Sequence, residues 1–232
     1  MHFPPAFTTV SRPPQAQALA ASWQQLAATL ESTGRVGPDA LDQALHAIGT
    51  GTAPETLELL EAIAEASGSL AVLMAMGGSG TGGAMAVFPG MHRHETSGDE
   101  QCLRLAAVAV GLGRRAVDLA VVEARARGDR PSGLPDDPPH WLLADAATDV
   151  DAARLLVLNV ATGDLAGATA VLIAAAAAAV RAADVAQRLH DAAGDQAQMA
   201  TIEVLARQAR GLVGIVGGED ALRRRAADAL LA

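Results

Sequence analysis

Apolar residues recur every three or four positions along the second half of the chain, which is the spacing of amphipathic helices. Between residues 143 and 157, the apolar stripe consists of Ala146, Val150, Ala153 and Val157. The same spacing, with Ser97 as N-cap, predicts a helix from there to about Gly128. Further helices are predicted over about 140–162, 165–192, 197–213 and 219–231. Short connections between such helices favour antiparallel neighbours and therefore a bundle.

The first half of the chain shows shorter helical patterns. One helix is predicted after Pro14, a second around residues 41–48, and a third from about Pro54 that buries Leu57, Leu60 and Ile63. The apolar segment 69–88 is interrupted by glycines. We therefore divide the chain into an N-terminal arm (1–12), an N-terminal helical domain (13–90), a polar connector (91–97) and a C-terminal helical-bundle domain (98–232).

Composition supports an all-α fold and narrows the possible functions. The chain is rich in Ala and has 2% aromatic residues and no Tyr, which disfavours strands. It contains no Lys, which excludes Schiff-base chemistry and a phosphate-loop lysine. A net charge of −9 gives no basic surface for nucleic acid.

Three features of the sequence argue against export and against membrane insertion, and they set the expected location of the protein. The single Cys cannot form an internal disulfide, the first ten residues lack the pattern of a signal peptide, and the longest uncharged apolar run (165–180) is shorter than a membrane span. We expect a cytoplasmic protein that binds neither nucleic acid nor a membrane.

Residues 143–156, LADAATDVDAARLL, closely resemble a signature of the C-terminal helical domain of acyl-CoA dehydrogenases. Looser similarity to the same family extends over residues 59–88, 103–127, 202–210 and 221–231. The family combines an N-terminal helical domain, a middle β-domain of about a hundred residues and a C-terminal four-helix domain. Only residues 91–96 lie between the two helical parts here. The resemblance therefore implies an acyl-CoA dehydrogenase-like helical bundle with a shortened N-terminal domain and no β-domain.

The resemblance also implies where a catalytic base would lie. Family members remove an α-proton with a carboxylate while FAD accepts hydride, and most carry this Glu just before a Gly near the C-terminus. Gly217 occupies that position. Other members place the base near the position of Leu103, one turn from Glu100. Glu219 and Glu100 are thus the candidate catalytic residues, although both also fit carboxylates that stabilise a helix N-terminus.

The family's flavin contacts are only partly preserved. Its Arg followed by Gln-Phe-Gly corresponds to residues 124–128, where Gly128 is retained and Arg125 is one position away. Arg125, Arg127 and Gly128 are the candidate cofactor-binding residues, with the two arginines able to contact a pyrophosphate as isolated charges. The expected cofactor is therefore either none or FAD.

Other motifs favour structural interpretations. Residues 78–83, GSGTGG, match a dinucleotide fingerprint but lack its flanking strand and helix. The His-x-His at 92–94 lies in a polar connector, and no metal site is predicted. Cys102 is expected to be buried and inert, Asp151 to be able to pair with Arg154, and His140 with Trp141 to anchor the preceding loop to the bundle.

Three hypotheses follow for the function. The first is a binding or interaction protein that lacks flavin redox chemistry of its own and takes an acyl thioester or another apolar ligand. The second is an FAD-dependent oxidoreductase acting on the CH–CH group of acyl-CoA, with its flavin site completed by a partner or second subunit. The third is a structural helical oligomer without a ligand. The expected partners are copies of the chain, as a homodimer or homotetramer, or a full-length acyl-CoA dehydrogenase.

Overall fold

A computed structural model of the chain describes residues 54–75, 98–128, 140–163, 167–193 and 196–231. These residues are almost entirely helical and contain no strand. The helices are α1 (Pro54–Ala66), α2 (Gly68–Ala75), α3 (Gly98–Gly128), α4 (His140–Thr162), α5 (Ala168–Ala193), α6 (Gln196–Ile215) and α7 (Glu219–Leu231). The all-α prediction is confirmed. The helices expected around residues 14 and 41–48, the connector, and the motifs at 78–83 and 92–94 lie outside the described residues.

Helices α3 to α6 form a four-helix bundle. The α3 and α5 helices run in the same direction, because Cys102 contacts Thr169 near their starts and Leu119 contacts His190 near their ends. Short connections reverse the chain between α4 and α5 and between α5 and α6. The predicted stripe of α4 is buried throughout, with Ala146, Val150, Ala153 and Val157 each at most 3% exposed.

The first half of α3 is buried on every face, which differs from the one-sided stripe predicted for this helix. All residues from Cys102 to Gly113 are buried. Five of these twelve residues are Ala or Gly, which lets neighbouring helices approach closely. A Cβ on Gly113 would lie 2.9 Å from Cγ2 of Val150 and 3.3 Å from the Cα of Ala179. Glycine at this position therefore permits the contact among α3, α4 and α5.

The α1 helix packs across the middle of α3. Its Leu57, Leu60 and Ile63 are buried as predicted. The α3 backbone passes so close to α1 at Gly111 that a Cβ there would collide with the carbonyl oxygen of Glu61. The first described helix thus packs directly against the central helix of the bundle.

Helix α5 is long and apolar enough, by length and composition, to cross a membrane. The uncharged run identified in the sequence is shorter than a span, but the helix continues through Arg181 and Asp184. Most of this helix is buried inside the bundle, and core helices of soluble proteins meet the same criteria. Its run of alanines, 174–179, lies where α3 and α4 approach it.

Candidate functional site

The two candidate carboxylates lie at the same end of the bundle. Glu100 is in the first turn of α3, and Glu219 is the first residue of α7. An ion pair between Asp99 and Arg225, 3.0 Å long, joins these two helices at that end. The structure therefore places the beginning of α3 against the middle of α7, about two turns after Glu219.

Glu219 has the surroundings of a solvated residue at a helix N-terminus. Its side chain is exposed and forms an ion pair with Arg223 one turn later. Asp220 follows it, so two carboxylates lie in the first turn of α7, where the helix dipole favours negative charge. This environment accounts for Glu219 without a catalytic role.

Glu100 lies beside a buried cation. It is half-buried, while Arg104, one turn later on α3, is only 2% exposed. Burial lowers the pKa of Arg104, and the negative charge of Glu100 opposes that effect. The carboxylate of Glu100 thus helps to keep a charged guanidinium stable inside the bundle.

Gly217, at the family position of the base, has a backbone conformation that disfavours glutamate. Its φ is +105°, and that of Gly218 is +90°. The amide of Gly218 donates to the carbonyl of Val213 at 2.9 Å, and that of Gly217 to the carbonyl of Gly214 at 3.3 Å. This pattern is the Schellman motif that ends α6. A side chain at 217 has room, with only the Cβ of Ala221 at 3.5 Å, but an L-residue is strained at that φ.

The candidate cofactor residues lie at the other end of α3. Arg125 is exposed in the last turns of the helix, and Gly128 is its final residue. Arg127 lies between them in the helix. Arginines near a helix C-terminus stabilise its exposed carbonyl groups. A helix C-terminus presents no backbone N–H groups to a phosphate, so an anion bound there would depend on the side chains alone.

One continuous helix separates the candidate base from the candidate cofactor residues. Glu100 and Arg125 are 25 positions apart on α3, and a rise of 1.5 Å per residue gives a separation of roughly 37 Å. A single flavin ring and its pyrophosphate cannot contact both residues of one chain. The structure therefore does not assemble the sequence-predicted residues into one site within a protomer.

A buried ionic network was not anticipated from the sequence. Arg154, 3% exposed, donates from Nε to Glu61 at 3.0 Å and from Nη2 to Glu58 at 2.8 Å. Arg114 binds Glu61 at 2.7 Å. The predicted pairing of Asp151 with Arg154 is wrong, because Asp151 lies 3.6 Å from Arg114 instead. This network ties α1 to both α3 and α4.

The pattern of charges did contain a signal for this network. Arg154 follows Val150 by four residues, which places it on the buried face of α4. Glu58, Glu61 and Glu65 recur at helical spacing on α1. A buried arginine needs acidic partners, so the arginine on the apolar stripe of α4 could have been paired with the acids on one face of α1.

Cys102 and His190 are buried between helices. Burial raises the pKa of the Cys102 thiol, while Arg225 and a hydrogen bond with Thr169 act in the opposite direction. Cys102 is 0% exposed, as expected for an inert core residue. His190 Nε2 lies 3.3 Å from the carbonyl oxygen of Leu119, and its Nδ1 lies 3.9 Å from the Glu123 carboxylate. Within the described residues, no three His, Cys, Asp or Glu side chains form a group that could hold a metal ion.

Comparisons with known proteins agree with the similarity seen in the sequence. The family model described as "Acyl-CoA dehydrogenase, C-terminal domain" matches residues 90–231. The match covers α3 to α7 and more than half of the chain. No curated protein and no solved structure matches the chain.

Proposed function

This chain belongs to the acyl-CoA dehydrogenase family, and on that premise we propose that it is a binding or interaction protein without flavin redox chemistry of its own. The ligand class to test first is an acyl thioester, the substrate class implied by the family. The observation that carries the proposal is the left-handed backbone of Gly217, where most family members have the catalytic glutamate. A missing base removes proton abstraction without preventing a ligand from binding.

The number of residues between α2 and α3 supports the same proposal. Residues 76–97 are all that separates α2 from α3. Twenty-two residues cannot contain a domain of about a hundred residues. The part of the family fold that supports the flavin ring therefore has no room between these helices.

The test compares flavin content with ligand binding. We expect the purified full chain to be colourless, to take up no added FAD, and to show a higher melting temperature with an acyl-CoA. A ligand that binds only the native state at 100 times its Kd adds about 2.7 kcal/mol to the free energy of unfolding. Stoichiometric FAD together with acyl-CoA-dependent dye reduction would contradict the proposal. A melting temperature unchanged across acyl-CoA chain lengths would support a structural oligomer instead.

Arg125 provides a residue-level test of where a CoA thioester binds. If its guanidinium contacts the pyrophosphate, Arg125→Ala reduces the thermal shift given by acyl-CoA. Arg115→Ala is the matched control, because Arg115 is also exposed on α3. Equal shifts in both variants would remove Arg125 from the proposed binding site.

The second candidate is an FAD-dependent oxidoreductase completed by another subunit. The shared location of Glu100 and Glu219 favours it, because two carboxylates lie at one end of the bundle. The roughly 37 Å along α3 requires that Arg125 come from a different protomer or from a full-length partner. A yellow protein whose dye reduction is abolished by Glu100→Gln or by Glu219→Gln would establish this function.

We also infer that the chain associates with copies of itself. Family members are typically oligomeric, and the helices α3 to α7 that match the family model are present. A homodimer or homotetramer is the expected state. Sedimentation of the full chain over a range of concentrations tests this inference independently of ligand binding.

A further inference from the structure

His190 is a buried histidine whose two ring nitrogens both face oxygen atoms of helix α3. It lies in the last turn of α5 and is 3% exposed. Its Nε2 lies 3.3 Å from the carbonyl oxygen of Leu119, and its Nδ1 lies 3.9 Å from Oε2 of Glu123. Leu119 and Glu123 are one turn apart on α3, so one face of that helix supplies both oxygens. The imidazole therefore bridges the C-terminal parts of α3 and α5.

The two distances indicate which nitrogen carries the proton when the ring is neutral. A carbonyl oxygen only accepts hydrogen bonds, so the contact with Leu119 requires a proton on Nε2. Nδ1 of the neutral ring is then an acceptor, and it faces a carboxylate, which also accepts. The separation of 3.9 Å is longer than a hydrogen bond, as expected for two acceptors. In the neutral ring, Leu119 thus accepts a hydrogen bond from His190, whereas Glu123 does not.

Protonation of the ring reverses the character of the second contact. The imidazolium carries a proton on each nitrogen, so Nδ1 becomes a donor that faces the carboxylate of Glu123. A charge-assisted hydrogen bond has a length of about 2.7–2.9 Å, so the two side chains must approach each other by about 1 Å. Histidine is the side chain whose charge ordinarily changes between about pH 5 and 8, so this contact can switch near neutral pH.

The charged groups around His190 differ in how far they are exposed to solvent. The Glu123 side chain is only 12% exposed. The charged residues of the neighbouring turns and helices are exposed: Arg125 on α3, Asp145 on α4, Arg188 and Asp191 on α5, and Glu203 and Arg207 on α6. Solvent and salt screen the charges of that exposed set. The negative end of the α5 dipole also favours a cation in the last turn of that helix. Glu123 is therefore the charge to which a proton on Nδ1 responds most strongly.

The contact lies next to the candidate cofactor-binding residues. Arg125 and Gly128 follow Glu123 by two and five positions in the last turns of α3. A movement of Glu123 towards His190 therefore draws this end of α3 towards α5. The charge of one histidine can thus set how firmly the end of α3 is held.

We propose that His190 and Glu123 form a proton-dependent latch between the C-terminal ends of α5 and α3. With the ring protonated, the imidazolium donates to both the Leu119 carbonyl and the Glu123 carboxylate, and the latch is closed. With the ring neutral, the bond to Glu123 is lost and the latch is open. Its contribution to stability is therefore present at the lower pH and is lost as the pH rises through the range in which His190 releases its proton. The latch does not depend on whether the chain binds an acyl thioester or FAD.

Nuclear magnetic resonance of the full chain, isotope-labelled at nitrogen, reads the state of the ring directly. We expect the folded chain to carry a proton on Nε2 only at about pH 8, and on both ring nitrogens at about pH 5.5. His190→Gln identifies the signals of this residue, since the chain has six histidines. A neutral ring protonated on Nδ1, or a ring whose charge does not change in the folded chain over this range, would overturn the latch.

Glu123→Gln removes the charge of the carboxylate and keeps nearly the same shape. The amide has no charge to attract the imidazolium, but it can donate to a neutral Nδ1. We therefore expect His190 to gain its proton at a lower pH in this variant. The variant should also melt at least about 2 °C below the unaltered chain at about pH 5.5, but not at about pH 8. Glu203→Gln, which changes an exposed acid on α6, is the matched control and should alter neither quantity.

The outcomes distinguish a latch from an ordinary core histidine. A titration of His190 that Glu123→Gln leaves unchanged would overturn the proposal. An equal loss of stability in Glu123→Gln at both pH values would make the contact purely structural and would overturn it as well. Hydrogen exchange of residues 124–128, corrected for its own dependence on pH, should be slower with the latch closed, and this slowing should disappear in Glu123→Gln. The same slowing in both chains would contradict the role of Glu123.

Discussion

Two of the described helices that flank the four-helix bundle, α1 and α7, are joined to it by ion pairs, but the surroundings of those pairs differ. At α1, the side chains of Glu61 and Arg154 are each 4% exposed. At α7, those of Arg225 and Asp99 are 43% and 44% exposed. Buried charges are costly when one partner is removed, whereas exposed pairs contribute little. Both helices also bury apolar side chains, three of them on α1 as described above and Leu222 on α7, so the difference concerns what is lost when one member of an ion pair is removed.

Arg154→Met should have the largest effect on stability. It leaves the carboxylates of Glu58 and Glu61 without their guanidinium partner in a buried region, which typically costs about 3–5 kcal/mol. Arg114 still binds Glu61, so we expect the lower part of that range. Urea unfolding of the full chain measures the loss.

The matched control for this variant is Arg181→Met. Arg181 also forms a helix-to-helix ion pair, with Asp149, but both side chains are well exposed. The expected loss is below about 1 kcal/mol. Equal losses in the two variants would show that burial does not distinguish the two kinds of ion pair.

Gly111→Ala tests the close contact of α1 with α3 without changing a charge. The added Cβ would meet the Glu61 carbonyl and the Cβ of Ala64, so α1 must shift, at a cost of about 1–3 kcal/mol. Gly211→Ala provides a control in another helix, because nothing lies within 4 Å of its Cβ. That variant should gain up to about 1 kcal/mol from helix propensity. A stabilised Gly111→Ala would mean that α1 is not held against α3.

Gly217→Ala should show a smaller loss, of about 1–2 kcal/mol, because an L-residue is unfavourable in the left-handed region. Gly217→Glu should lose a similar amount and should not acquire dye-reducing activity alone, since Arg125 remains at the far end of α3. Thermal unfolding and a dye assay with added FAD measure the two effects. Activity in the Gly217→Glu variant would contradict our account of this position.

Arg225→Ala should have the smallest effect, below about 1 kcal/mol, and the effect should decrease with added salt. The exposed Asp99 can be solvated once its partner is removed. Urea unfolding at low and high ionic strength measures this. A large loss of stability that does not depend on salt would mean that the ion pair of α7 behaves like the buried ion pairs of α1.

The sequence predicted the helices of the bundle well because their apolar periodicity is long and regular. Observed α4 and α7 have the predicted bounds, and α5 and α6 differ by one to three residues at their ends. Capping residues and side-chain contacts outside the stripe decide those ends, and periodicity does not report them.

The candidate site was less predictable, because the spacing of residues along one helix does not tell which side chains of other helices they contact. Arg154 was matched with the nearest acid in sequence, Asp151, whereas its partners lie on α1, more than ninety residues earlier. The conformation of Gly217 is likewise set by how α6 ends, and a glycine in the sequence only permits it. Which residues bind a ligand remains a prediction.

The single buried thiol makes this chain its own reporter of conformational opening. Cys102 is enclosed where α3, α5 and α7 meet, and the chain has no other cysteine. A thiol reagent can modify it only when these helices separate, so the labelling rate measures how often this end of the bundle opens. Arg225→Ala should increase the labelling rate by more than its effect on the free energy of unfolding of the whole chain would account for. That result would distinguish local release of α7 from unfolding of the whole bundle.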